Sequence, residues 1–229
     1  RRVLFRLPWL SCHFPPRRIY VEPFGGAASM LLRKSRAYAE VYNDLDSELV
    51  NLVRVLSSQE GPRLVEQLRL TPFARDEFRA AYEPCAEPVE QARRMIVRSF
   101  MGFGATGSTG HLTGFRSNSN RSGTTPAHDW RNYAGLLPEI IDRLAGVVIE
   151  NRDALVVMAT HDGPDTLHYV DPPYVHATRS LANPHCAKHR YRYELDDAGQ
   201  ARLLEALRGL TGMVVLSGYP HPLYDDALD

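Results

Sequence analysis

The strongest constraint on how this chain can fold is an interrupted alternation of strand and helix. Ile19-Tyr20-Val21 reads as a short buried strand ending at Glu22-Pro23. Gly25-Gly26 follow, and the small-residue run 27–34 predicts a helix. Residues 38–42 predict a second strand, ending at Asn43-Asp44. Leu49, Leu52, Val53 and Leu56 recur at helical spacing, so a helix is expected over 46–57. This order opens a doubly wound sheet. The alternation then stops. Three helices are predicted over 62–70, 72–82 and 88–100, each with a proline near its first turn. The polar, glycine-dense stretch 102–123, anchored by Phe103, Leu112 and Phe115, predicts a hairpin and an exposed loop, and a helix returns over 130–144. Strands resume at 147–149, 167–170 and 213–216, with helices over 154–159 and around Leu203, Leu204 and Leu207. Plain loops rarely exceed about 15 residues, so an interruption of about 85–90 residues is a subdomain. The expected division is a sheet domain from 1–57 and 145–229, with 58–144 inserted.

Within that frame the most informative motif is Asp171-Pro172-Pro173-Tyr174, directly after the apolar run ending at Val170. Proline fixes φ and lacks an N–H, and the residue before it is driven to extended backbone. The carbonyls of Asp171 and Pro172 therefore cannot be absorbed into a helical turn. A carboxylate, free carbonyls and the flat face of Tyr174 suit a planar amine such as the exocyclic amino group of a nucleobase.

Ligands of open α/β sheets sit beyond the carboxyl ends of the strands. Glu22-Pro23-Phe24-Gly25-Gly26 occupies such a position, where glycine lets a ligand approach the backbone. A tight turn explains the glycine pair equally well. Neither G-x-G-x-x-G nor a P-loop occurs, so the turn suits a ligand without a pyrophosphate. Asp44 lies about 20 residues past the first glycine, where an acid can take the ribose hydroxyls of an adenosyl group. Helix capping is the alternative, and it is expected of Asp46 instead. Asp153 after the third strand is read either as an acceptor for an adenine amine or as a helix N-cap. His185-Cys186-x-x-His189 lacks a second ligand pair at suitable spacing, and no metal is expected.

Composition narrows the class. The chain has 229 residues, 44% hydrophobic, with no apolar run long enough to span a bilayer. Its three cysteines are odd in number and widely spaced, which argues for a reducing compartment, and a cytoplasmic location is expected. Formal net charge is zero, yet residues 91–131 carry six arginines against the single acid Asp129. This stretch is the candidate nucleic-acid surface, with a solvated charged face as the bland alternative.

With the glycine turn, the second-strand acid and Asp-Pro-Pro-Tyr in this order, the chain resembles the D12-class, Dam-like adenine-specific DNA N6-methyltransferases, and most closely their phage and prophage members. Residues 20–26 look like the family's cofactor motif, and 42–46 like its acidic second-strand motif. Residues 171–174 look like its catalytic motif, while 98–104 and 113–116 fall where it places target recognition. The resemblance implies an α/β fold, a Rossmann-like class I AdoMet-dependent methyltransferase sheet with an inserted helical and β-hairpin target-recognition subdomain. It also implies S-adenosyl-L-methionine as methyl donor, no metal, and double-stranded DNA as partner, with a cognate restriction nuclease compatible. Asp171, Pro172, Pro173 and Tyr174 would be catalytic. Glu22, Pro23, Phe24, Gly25, Gly26, Asp44 and Asp153 would bind cofactor. Arg98, Arg116, Asn118, Asn120 and Arg121 would bind DNA, the arginines holding phosphates and the last four also candidates at base edges, since Arg reads guanine and Asn reads adenine. The family's opening Gly-Gly-Lys segment is not in the sequence, and its last two strands would lie beyond Asp229, so the chain is expected to be shortened at both ends. The rival readings are an RNA base methyltransferase with a similar Asp-Pro-Pro-Tyr site and a non-catalytic DNA-binding remnant.

Overall fold

The computed structural model describes residues 7–103, 112–118, 123–178 and 191–228. Two compact units divide these residues, one formed by the segments up to Val50 and from Gly146 onward, the other by Asn51–Ala145.

The first unit is a five-stranded parallel sheet. Its strands are β1 (Ile19–Glu22), β2 (Ala39–Asn43), β3 (Val148–Glu150), β4 (Thr166–Val170) and β5 (Met213–Leu216), in spatial order β3-β2-β1-β4-β5. Every residue of β4 is buried, as expected of a central parallel strand covered on both faces. Val21 pairs with Val41 on one side and His168 on the other, so β1 and β4 run side by side. The chain winds outward from β1 to β2 and β3 in one direction and to β4 and β5 in the other. The gap between the ends of β1 and β4 is therefore the topological switch point, where an open sheet offers its ligand crevice. Around the strands lie α1 (Leu7–Cys12), the start of α2 (Ser47–Leu56), and α8 (Ala154–Thr160), α9 (Asp197–Arg208) and α10 (Pro222–Leu228).

The second unit holds α3 (Gly61–Leu70), α4 (Arg75–Ala80), α5 (Pro88–Met101), α6 (Pro126–Tyr133) and α7 (Leu137–Leu144). Leu64, Leu68, Phe78, Met95, Ile96 and Val97 form its interior. Trp130 donates its indole N–H to the Thr71 carbonyl at 2.8 Å, tying α6 to the end of α3.

Three local expectations are corrected. Residues 27–34 make successive turns and no α-helix, because Gly26 (φ +48°) and Ala28 (φ +53°) are both left-handed and a right-handed helix cannot start through them. The helix expected from Pro72 starts only at Arg75, because Ala74 is extended. The helix expected over 130–144 starts earlier, at Pro126, where the Thr125 side chain caps it. It breaks at the 3₁₀ turn Ala134–Leu136, just before Pro138, which has no N–H for a continuing ladder. Of the expected hairpin and loop, the described residues hold the antiparallel bridge Gly102 to Phe115. The rest of that prediction, 104–111 and 119–122, falls outside the described residues.

Candidate active site

Glu22 closes β1 and is only 2% exposed. Its Oε2 accepts from the Tyr20 hydroxyl at 3.0 Å and the Leu31 N–H at 2.9 Å. Burial, with the Asp171 charge adding to it, outweighs these donors and drives its pKa up to about 8. A buried acid so perturbed at a strand end marks a functional candidate.

The turn that follows is locked to β2. Gly25 donates to the Asn43 carbonyl at 2.7 Å. A Cβ on Gly25 would overlap the Tyr42 ring and lie 2.9 Å from the Asn43 carbonyl oxygen, so nothing larger than glycine fits. Gly26 differs. Its N–H donates to Asp44 Oδ2 at 2.8 Å and its carbonyl accepts from the Tyr42 hydroxyl at 2.7 Å, while a Cβ there would meet nothing within 4 Å. The turn is thus closed at Gly25 and open at Gly26. Gly25→Ala is expected to cost about 2–3 kcal/mol as an overpacking change. Gly26→Ala, strained only by its left-handed φ, is expected to cost about 1–2 kcal/mol. Urea midpoints of the two variants check this, and equal losses would contradict it.

Asp44 spends one lone pair of each carboxylate oxygen on the backbone, Oδ2 on Gly26 and Oδ1 on the Asp46 N–H at 2.8 Å. A carboxylate offers about four acceptor sites, so capacity for a further hydroxyl donor remains beyond its backbone donors Gly26, Asp46 and Leu45. Burial raises its pKa. Asp46 has a different task. Its Oδ1 accepts from the Glu48 N–H at 3.0 Å, capping α2, and from Arg192 Nη1 at 2.8 Å, while Arg192 Nη2 reaches Glu48 at 3.1 Å. Asn43 fastens the neighbouring loop, donating to the carbonyls of Pro23 and Arg152 and accepting from the Arg152 N–H.

Asp153 is the N-cap of α8, accepting from Leu155 at 2.8 Å and Val156 at 3.3 Å through Oδ1. It lies three residues beyond the end of β3, so the capping alternative describes its local role.

Asp171 leaves β4 beside the end of β1. Phe24 of the glycine turn packs on the core cluster that contains Val170 and Val175, so the glycine turn and the Asp171–Tyr174 segment share one wall. Burial raises the pKa of Asp171, while hydrogen bonds from Ser217 and Tyr174 pull it back down. The Tyr174 hydroxyl lies 3.2 Å from Ser217 Oγ. The Pro173 carbonyl accepts from Gln200 Nε2 at 2.6 Å, and Gln200 Oε1 accepts from Tyr224 at 3.2 Å. Tyr219, 55% exposed, stands edge-on to Tyr174 at 5.2 Å between ring centres and 80° between planes. The two rings form a right-angled corner.

The structure thus brings Glu22, Pro23, Phe24, Gly25, Gly26 and Asp44 to one sheet edge with Asp171, Pro172, Pro173 and Tyr174. Sequence reasoning missed Ser217, Tyr219, Gln200 and Arg192. The available signal for Ser217 and Tyr219 was that they follow β5, whose carboxyl end belongs to the same edge.

The basic residues belong to the other unit. Arg98 is 7% exposed, its guanidinium 5.8 Å from the Tyr82 ring centre. This corrects its expected role as a phosphate clamp, since a cation packed inside the unit is not presented to a ligand. Arg116 is half-buried and donates Nη1 to the Phe100 carbonyl at 3.0 Å, and Asn118 is exposed. Asn120 and Arg121, like His185, Cys186 and His189, lie outside the described residues. Among the described residues no group of three His, Cys, Asp or Glu side chains could hold a metal, and no helix is long and apolar enough to cross a membrane.

Residues 6–218 match the family model described as D12 class N6 adenine-specific DNA methyltransferase. No curated protein matches the chain.

Proposed function

Because the chain belongs to the D12 class of N6 adenine-specific DNA methyltransferases, we propose that it moves a methyl group from S-adenosylmethionine to N6 of an adenine flipped out of duplex DNA. The observation that carries this reading is the adjacency of the Glu22–Gly26 turn and the Asp171–Tyr174 segment at the ends of neighbouring strands.

The residues present fit the cofactor. Gly26 leaves open space beside a left-handed turn, and Asp44 keeps acceptor capacity for a ribose hydroxyl. Glu22 supplies an acid next to that turn, and Pro23 and Phe24 shape it. Asp153 can offer Oδ2 to an adenine amine, with Oδ1 committed to its cap. When bound, S-adenosylmethionine supplies an electrophilic methyl group on a sulfonium centre.

The protein's share of the chemistry is positioning and electrostatics. A base inside a duplex cannot reach a pocket, so the adenine must be everted at a cost of a few kcal/mol, of which stacking on Tyr174 returns roughly 1–3 kcal/mol. Asp171 and the Pro172 carbonyl accept the two N6 hydrogens. This draws the nitrogen lone pair out of ring conjugation and aims it away from the plane. Pro172 and Pro173 hold the acceptors rigid. Once N6 forms its new bond it sheds one proton, and the Asp171 carboxylate is placed to take it.

DNA is held through Arg116, Asn118, Asn120 and Arg121 in this reading. Arg116→Ala is expected to reduce the slope of log affinity against log salt by about 0.9, one phosphate contact. An unchanged slope would put the DNA elsewhere.

The deciding experiment supplies tritiated S-adenosylmethionine with either unmethylated duplex DNA or total RNA, followed by digestion to nucleosides. Label in N6-methyldeoxyadenosine is expected. Label confined to RNA, or none, overturns the reading.

A further inference from the structure

We propose that Ser217 is a positioning residue for methyl transfer, a hub hydroxyl that aims Asp171 and Tyr174 together at the target amine. The inference rests on the function proposed above and deepens it.

Ser217 follows β5 directly and is fixed by its backbone, donating its N–H to the Val170 carbonyl at 2.8 Å, one residue before Asp171. Its position is therefore set by the same strand end that sets the carboxylate. Gly218 keeps this corner tight, since a Cβ there would come within 3.0 Å of the Tyr224 ring. The Ser217 hydroxyl lies 3.2 Å from the Tyr174 hydroxyl, and it faces the Asp171 carboxylate and the Tyr169 hydroxyl closely enough to act on the titration of both. A serine hydroxyl has one hydrogen and two lone pairs. Donation to Asp171 leaves both lone pairs facing the tyrosine hydroxyls, and Tyr174 shares its single hydrogen between Ser217 and the same carboxylate. No adjustment of one neighbour leaves the others unaffected, so carboxylate and stacking ring are oriented as a unit.

The titratable groups facing Asp171 are Glu22 from β1, Tyr169 from β4, and Tyr174 within its own segment. The buried surroundings favour the protonated, inactive form, whereas Ser217 and Tyr174 favour the carboxylate. Removing the Ser217 donor therefore raises the Asp171 pKa, and activity then fails at a higher pH on the acid side.

The test compares wild type, Ser217→Ala and Ser217→Thr on unmethylated duplex DNA. Ser217→Ala is expected to lower kcat by about 10–10²-fold, as for a misaimed group. KM for DNA and calorimetric affinity for S-adenosylmethionine should stay within about twofold. The acid limb of its kcat profile should move to higher pH, and Ser217→Thr, which restores the hydroxyl, should recover most of the loss. An unchanged kcat and acid limb in Ser217→Ala overturns the proposal, as does a loss that falls on cofactor affinity alone. Wild-type protein that transfers no label to DNA overturns the underlying reading, and this inference with it, before any variant is compared.

Discussion

Asp171→Ala is expected to lower methyl transfer by at least about 10³-fold, the scale of removing a preorganised polar group from a water-poor site, while the folded protein becomes no less stable. Both halves follow from one fact. Burial raises the Asp171 pKa, so the fold carries the cost of keeping a carboxyl where its charged form is disfavoured. A group whose folded pKa is raised costs stability above its unfolded pKa, so at neutral pH its removal relieves the fold. Loss of activity with an unchanged or higher thermal midpoint separates this from general damage. A variant that transfers methyl groups at near-wild-type rate, or that unfolds, would contradict the assignment.

Glu22 carries the largest pH effect. Its carboxyl is held at about 8 against an ordinary value of 4.5. Between these limits the unfolded chain has lost the proton while the folded chain keeps it. The folded state then binds more protons, and stability falls as pH rises, with the loss complete above about 8. Full expression of that shift corresponds to roughly 5 kcal/mol. Glu22→Gln mimics the protonated acid and can keep both donors, Tyr20 and Leu31, on its oxygen. Its unfolding free energy is expected to stay nearly flat between about pH 5.5 and 8.5, whereas wild type loses stability steadily. Denaturant titrations at the two pH values decide it, and parallel losses would remove Glu22 as the cause.

Much of the sheet was legible because parallel strands write themselves as short apolar runs closed by polar residues. Met213–Leu216 was read with its observed bounds, and Asp171 was placed at a strand end from the apolar run before it and the prolines after it. The glycine turn misled at one point. Small residues after Gly26 look helical, but the left-handed backbone at Gly26 and Ala28 is decided by closure onto Asp44 and Tyr42, which sequence spacing does not reveal. The partners of Asp46 illustrate the same limit. Its capping role was local and readable, whereas Arg192 arrives from 146 residues away. Ser217 and Gln200 are ordinary polar residues until the strands are laid in order, because their meaning depends on which neighbour the topology gives them.

Gln200 has a wider consequence. Its side chain is fully buried on α9 and links the carbonyl of Pro173 to the hydroxyl of Tyr224 on α10. The rim of the pocket is thereby bolted to the scaffold behind it and does not behave as a hinged flap. Under the proposed function, an incoming base then meets an edge braced at Pro173, and adjustment during capture is expected of other parts of the protein and of the DNA.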